Sequence, residues 1–143
     1  MEVLIPADVE SAALAELSAK LGVHGWPGLT AANGRVGTKL PTGLTKPESF
    51  VRLYTVGGGS RDLVSDSPTL VVEGWHSKEQ GARDLCAMSV ALIESAGRAG
   101  SLGGVTCYGV AVASLPANLP YPSMPDRFRF TATLSVSLRR SSL

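Results

Sequence analysis

The sequence predicts an α+β fold: an antiparallel or mixed β-sheet with two main helices packed on one face. Three observations carry this. First, Phe128, Phe130, Ala132, Leu134, Val136 and Leu138 alternate with Arg127, Arg129, Thr131, Thr133, Ser135, Ser137 and Arg139. A period of two over that length marks a strand with one dry and one wet face. Second, Ala82, Leu85, Cys86, Ser89, Leu92, Ile93 and Ala96 repeat with the spacing of one helical face. Third, the elements run helix, loop, strand, strand, helix, strand, strand, without the strand–helix alternation that a doubly wound fold needs. At 143 residues the chain fits a single domain, 1–143, divided into an N-terminal helix (8–21), a variable loop (22–47) and a sheet-and-helix core (48–140). A chain of this size buries roughly two-thirds of its unfolded surface.

The first helix is predicted over 8–21. Asp8 follows Pro6-Ala7 and suits an N-cap, Leu14, Leu17 and Leu21 fall at helical spacing, and Gly22 is placed to end the helix in the left-handed region. In 22–47, glycine and proline recur (Gly25, Pro27, Gly28, Gly34, Gly37, Pro41, Gly43, Pro47), which predicts loop. Val23–Trp26 and Arg35–Thr38 are the candidate short strands within it. Phe50–Val56 is rich in β-branched and aromatic residues and reads as a strand, broken by Gly57-Gly58-Gly59-Ser60-Arg61-Asp62. Pro68–Trp75 reads as its antiparallel partner across a glycine-rich loop of about 57–67, longer than a tight hairpin needs.

Ser77 and Gln80 have the spacing of a capping box, which predicts a second helix over 78–96 stopped by Gly97. Its stripe of small residues predicts close approach to the sheet. Gly103-Gly104 opens a strand through Val112, and Pro116, Pro120, Pro122 and Pro125 predict loop over 115–125. The final strand would span about 40 Å at ~3.3 Å per residue. That is long for so small a domain, so either it bends or something outside the chain covers part of its polar face.

An apolar fraction of 44% with 17% charged residues excludes a disordered chain. A net charge of +1 makes no demand for nucleic acid, anionic membrane or acidic substrate. The N-terminus lacks the basic start and long apolar run of a signal peptide, and no stretch approaches the ~20 apolar residues of a membrane span. The expectation is therefore assembly in a cytoplasm, without membrane contact. Cys86 and Cys107 have no metal or redox spacing and read as buried free thiols.

Candidate chemistry is sparse. His24 and His76 have no second ligand at i+3 or i+4, which argues against zinc. Gly57-Gly58-Gly59-Ser60 lacks the lysine and the following helix of a phosphate loop. No Gly-x-Ser-x-Gly elbow surrounds Ser60, Ser65 or Ser67. Asp66 reads as a turn former and Glu79 as a carboxylate suited to a helix start. Arg127, Arg129, Arg139 and Arg140 make one strand face basic, but no aromatic platform interleaves with them, so an intersubunit or solvated face is the better reading than nucleic acid. Trp26 and Trp75 read as core or interface anchors. No catalytic, cofactor or metal site is expected.

The segment 47–140 resembles the tail terminator proteins of siphophages, especially those infecting actinobacteria. The resemblance rests on Pro47-Glu48-Ser49-Phe50-Val51-Arg52-Leu53, a glycine-rich break, Asp66-Ser67-Pro68 leading to Trp75, the alanine-containing helix, and Pro125-Asp126-Arg127-Phe128 opening the long alternating strand. The helix after Val3-Leu4-Ile5-Pro6 fits too, and 22–46 has no counterpart. The resemblance implies a virion subunit, not an enzyme. It would form a hexameric ring that caps the tail tube, stops its polymerisation, and joins the head connector or head-closure protein. DNA would pass through the lumen without specific binding, which a near-zero net charge suits.

A ring needs heterologous contacts that close. The expected contact groups are Gly57, Gly58, Gly59, Arg61 and Asp62 in the hairpin loop, and Arg127, Arg129 and Arg139 on the last strand. Three alternatives remain at this level. One is a different neck component, such as a head-closure or tail-completion protein. Another is a small ligand-binding domain or enzyme, which would require a pocket with convergent polar groups. The third is a host-encoded interaction module, which would look much the same without a phage context.

Overall fold

A computed structural model describes residues 2–41 and 46–142. Ten elements follow in order: β1 (Leu4–Ile5), α1 (Val9–Lys20), β2 (Val36–Gly37), β3 (Ser49–Ser60), β4 (Ser65–His76), α2 (Glu79–Ala99), β5 (Ser101–Leu102), β6 (Val105–Asn118), β7 (Phe128–Arg139) and β8 (Ser141–Ser142). Six strands form a mixed sheet in the order β2-β3-β4-β7-β6-β5, and β1 pairs with β8 in a separate two-stranded ribbon. All pairings are antiparallel except β2 with β3. The α+β prediction holds, with both helices contributing to one core against one sheet face.

The core face carries Val51, Leu53, Leu70, Val72, Phe130, Ala132, Leu134, Val136 and Leu138, facing Leu17, Leu85, Cys86, Ile93 and Ala96 of the helices. The sequence-predicted α2 stripe is buried at every position named above. Its small residues matter at Gly74 on β4, where a Cβ would lie 2.6 Å from the Cys86 amide nitrogen. The helix backbone therefore rests directly on the sheet.

Helix ends differ from expectation for identifiable reasons. Asp8 caps α1, accepting from the Ser11 amide at 3.1 Å, as predicted. Gly22, however, opens a short 3-10 turn over Gly22–His24, and Gly25 (φ 93°) takes the left-handed cap. Val23–Trp26 is thus no strand, whereas Val36–Gly37 is. The Ser77 capping box does not form. Ser77 Oγ donates to Glu48 Oε1 at 3.1 Å, α2 begins at Glu79, and His76 Nδ1 accepts from the Lys78 amide. Gly97 lies inside α2, packed where a Cβ would sit 2.8 Å from Val110 Cγ2, and Gly100 ends the helix three residues later. Of the expected 22–47 loop, residues 42–45, including Gly43, lie outside the described residues.

Two predicted loops are shorter than expected, because strand extends into them. β3 continues through Gly57–Gly59 after a bulge between Thr55 and Gly58, so the 57–67 loop shrinks to a turn at 61–64. β6 continues through Pro116 to Asn118, absorbing that proline where its register against β7 shifts between Ser114 and Ala117. Proline is tolerated in a sheet at such irregularities and on an open edge.

Candidate functional site

The hairpin β3–β4 ends in a turn stiffened by its own polar groups. The amides of Arg61 and Asp62 both donate to the Ser65 carbonyl, at 3.1 and 3.2 Å. Asp62 Oδ1 accepts from the Val64 amide at 2.9 Å and from Ser65 Oγ at 2.8 Å. The Val64 amide, then the Ser65 hydroxyl, holds the Asp62 carboxyl below the usual range. Behind the turn, Arg140 grips Asp66 through two hydrogen bonds of 2.6 and 2.9 Å and reaches Ser60 Oγ. The bond to Asp66 outweighs desolvation and raises the Arg140 pKa. The expected glycine-rich loop is thus a paired ribbon closed by a hydrogen-bonded turn.

At this end of the sheet Arg61 lies over the Tyr108 ring at 5.1 Å, and Arg139 Nη1 donates to the Tyr108 hydroxyl at 3.4 Å. The structure therefore gathers Gly57, Gly58, Gly59, Arg61, Asp62 and Arg139 at one end, with Tyr108 and Arg140 joining them. Leu63, at the tip, is 89% exposed.

Arg127 and Arg129 lie at the opposite end and have internal partners. Arg127 donates to the carbonyls of Lys46 and Pro47 and to Asp126. It ties the start of β7 to the lead-in of β3. Arg129 donates to the Leu119 carbonyl at 2.7 Å and to Glu73 Oε2 at 3.3 Å. The basic residues expected along 127–139 are consequently split between the two ends. The wet face between them holds Thr131, Thr133, Ser135 and Ser137.

A second, small core was not predicted. On the sheet face away from the helices, Phe50 stacks on Trp75 at 5.3 Å between ring centres, and Met124 and Tyr121 of the Pro-rich segment fold over them. Beside it, Glu73 is fully buried. Its carboxylate accepts from Arg52 Nε at 2.7 Å and Nη2 at 3.2 Å, from Trp75 Nε1 at 3.1 Å, and from Arg129. Burial works against the Arg52 charge, but its bond to Glu73 and the opposite charge outweigh that and raise its pKa. The only sequence signal for this cluster was a lone glutamate within Leu70–Trp75, facing the same way as Trp75.

The charged groups with perturbed titration have structural partners, and two of them, Asp62 and Arg140, border one depression at the hairpin tip together with Ser60, Arg61 and Leu63. Among the described residues no group of three His, Cys, Asp or Glu side chains is placed to hold a metal ion. Cys86 and Cys107 are buried free thiols, and burial pushes the Cys86 thiol up to about 12. Among the described residues no helix is long and apolar enough to cross a membrane.

No family model matches the chain, and no curated protein matches it in sequence. Among solved structures, a chain from the virion of a native gene transfer agent particle has the same fold. The TM-score is 0.60, with 12% identity and 92% of each chain covered. At that identity the likeness defines the fold class of this chain, an α+β domain spanning nearly all of both proteins.

Proposed function

We propose that this chain is a structural virion protein, a tail-terminator-type subunit. It forms a closed ring, six-fold by the resemblance, that caps the phage tail tube at its head-proximal end. The ring ends tube polymerisation and joins the tail to the head connector, with DNA passing through. The observation that carries this reading is the shared fold, over 92% of both chains, with a chain of a gene transfer agent virion. It agrees with a resemblance read independently from strand and turn patterns at 47–140. The β3–β4 hairpin supports it physically, since it runs the length of the sheet beside β7 and ends in an exposed turn at 61–64 that a neighbour could meet. The protein's work on this reading is contact rather than catalysis.

Light scattering on the purified protein, alone and with assembled tail tubes, tests the proposal. A closed six-fold species, or a monomer that becomes a ring at the tube end, is expected. A protein that stays monomeric and ignores tubes would overturn it.

A further inference from the structure

The chain holds two asparagines, Asn33 and Asn118, and only Asn33 is followed by glycine. An asparagine side-chain amide is open to attack by the backbone nitrogen of the next residue, and a glycine there, having no side chain, leaves the approach unhindered. Gly34 takes a φ of +78°, and a Cβ on it would meet nothing within 4 Å. Asn33 is exposed, so water reaches it.

The fold gives the intact amide a task. Asn33 Nδ2 donates to the Gly28 carbonyl at 2.6 Å, and Asn33 Oδ1 accepts from the Arg35 amide at 3.1 Å. The side chain therefore ties the 28–35 turn together across its mouth, inside backbone bonds from the Gly34 amide to the Ala31 carbonyl and from the Val36 amide to the Thr30 carbonyl. This turn delivers β2 to the outer edge of β3. The Arg35 carbonyl accepts from the Val51 amide at 2.8 Å, the Arg35 guanidinium donates to Ser49, and Val36 is buried in the core.

We propose that Asn33-Gly34 is a deamidation site that acts as a one-way latch on β2. In the closed turn the Gly34 N–H is committed to Ala31, and the Asn33 amide to Gly28 and Arg35, so reaction requires the turn to open first. In the opened turn the Gly34 nitrogen loses its proton and bonds to Asn33 Cγ. The Cγ–Nδ2 bond breaks, ammonia leaves, and a five-membered succinimide closes. Water then adds to one of its two carbonyls and opens the ring, giving aspartate or isoaspartate. Either product lacks the Nδ2 donor and sets a carboxylate oxygen against the Gly28 carbonyl, and isoaspartate also lengthens the main chain by one carbon. The turn no longer closes, and β2 leaves the edge of β3. The latch depends on bonds within one chain and is independent of the ring reading.

The test is peptide mass mapping of the full chain held at mildly alkaline pH, native and in urea, with Asn118 as the internal reference. Conversion at Asn33 is expected to outpace Asn118 in urea and to be at least ~10-fold slower in the native chain, because only the locally opened fraction reacts. Equal rates in native and unfolded protein would mean that the turn does not lock the amide, and would overturn the proposal. Conversion at Asn33 no faster than at Asn118 in urea would overturn it too.

Amide exchange on Asn33→Asp tests the second half. Exchange at the Val36 and Val51 amides should rise ~10-fold or more, with protection across β4 and β7 retained. Unchanged exchange at Val36 and Val51 would show that β2 does not depend on the Asn33 donor and would overturn the latch. Loss of protection throughout the sheet would mean that Asn33 holds the whole fold rather than β2, and would overturn it as well.

Discussion

Replacing Glu73 with glutamine should cost more than any other isosteric change in this protein. The carboxylate has 1% side-chain exposure and accepts hydrogen bonds from Arg52, Arg129 and Trp75. Glutamine keeps the shape and one acceptor, but turns the second acceptor into an NH2 donor facing a guanidinium. Breaking a buried ion pair by removing one partner costs about 3–5 kcal/mol, because the other charge stays behind. Here Arg52 and Arg129 retain 20 and 17% side-chain exposure, so water recovers part of their solvation. The lower end of the range, about 3 kcal/mol, is therefore expected. With an unfolding entropy of ~2.1 cal/mol/K per residue, a 143-residue domain loses about 10 °C in Tm for that cost. Thermal melts followed by circular dichroism, with urea titration at fixed temperature, measure both quantities. A loss under about 1 kcal/mol would refute the reasoning, since it would mean that Arg52 and Arg129 re-solvate freely without their counter-charge.

Further outcomes follow from single contacts. Gly58 (φ +107°) carries the bulge, and a Cβ there would collide with the Ser67 carbonyl and lie 2.7 Å from Pro68 Cα. Gly58→Ala should cost about 1–3 kcal/mol and raise amide exchange across the hairpin, whereas Gly59→Ala, which meets open space, should change exchange little. Gly74→Ala should destabilise by about 1–3 kcal/mol in urea titration, because its methyl would press on the α2 backbone at Cys86.

The Asp62 carboxyl is held low in the folded protein, so its contribution to turn order is present above its unfolded value and lost as pH falls through the folded one. Protection of the Val64 amide, taken relative to its intrinsic exchange rate at each pH, should therefore fall below about pH 4. Asp62→Asn should remove that dependence, and an unchanged pH profile would refute the assignment. Cys86, with its thiol pushed up to about 12, should resist Ellman's reagent at pH 8 until the protein is denatured.

Local pattern by itself determined the fold class, the run of main elements, the α2 stripe and the dry face of β7. These follow from side-chain periodicity, which depends only on backbone geometry that neighbouring residues share. What the sequence misplaced were boundaries whose outcome depends on a distant partner. Gly57–Gly59 reads as a break because glycine lacks intrinsic strand preference, but β4 supplies the ladder that makes it strand. Pro116 reads as loop because it lacks a donor, but a register shift on an outer strand makes the missing donor harmless. Ser77 fits a capping box, yet Glu48, 29 residues away, takes its hydroxyl. That Gly57, Gly58, Gly59, Arg61 and Asp62 lie together in one hairpin was legible from composition and order. The internal commitments of Arg127 and Arg129 were not, because they depend on Glu73, Leu119 and Pro47 converging from separate segments. Only tertiary packing decides whether a charged side chain faces water or closes on a buried partner, because that energy depends on what surrounds it, and sequence neighbours do not carry that information.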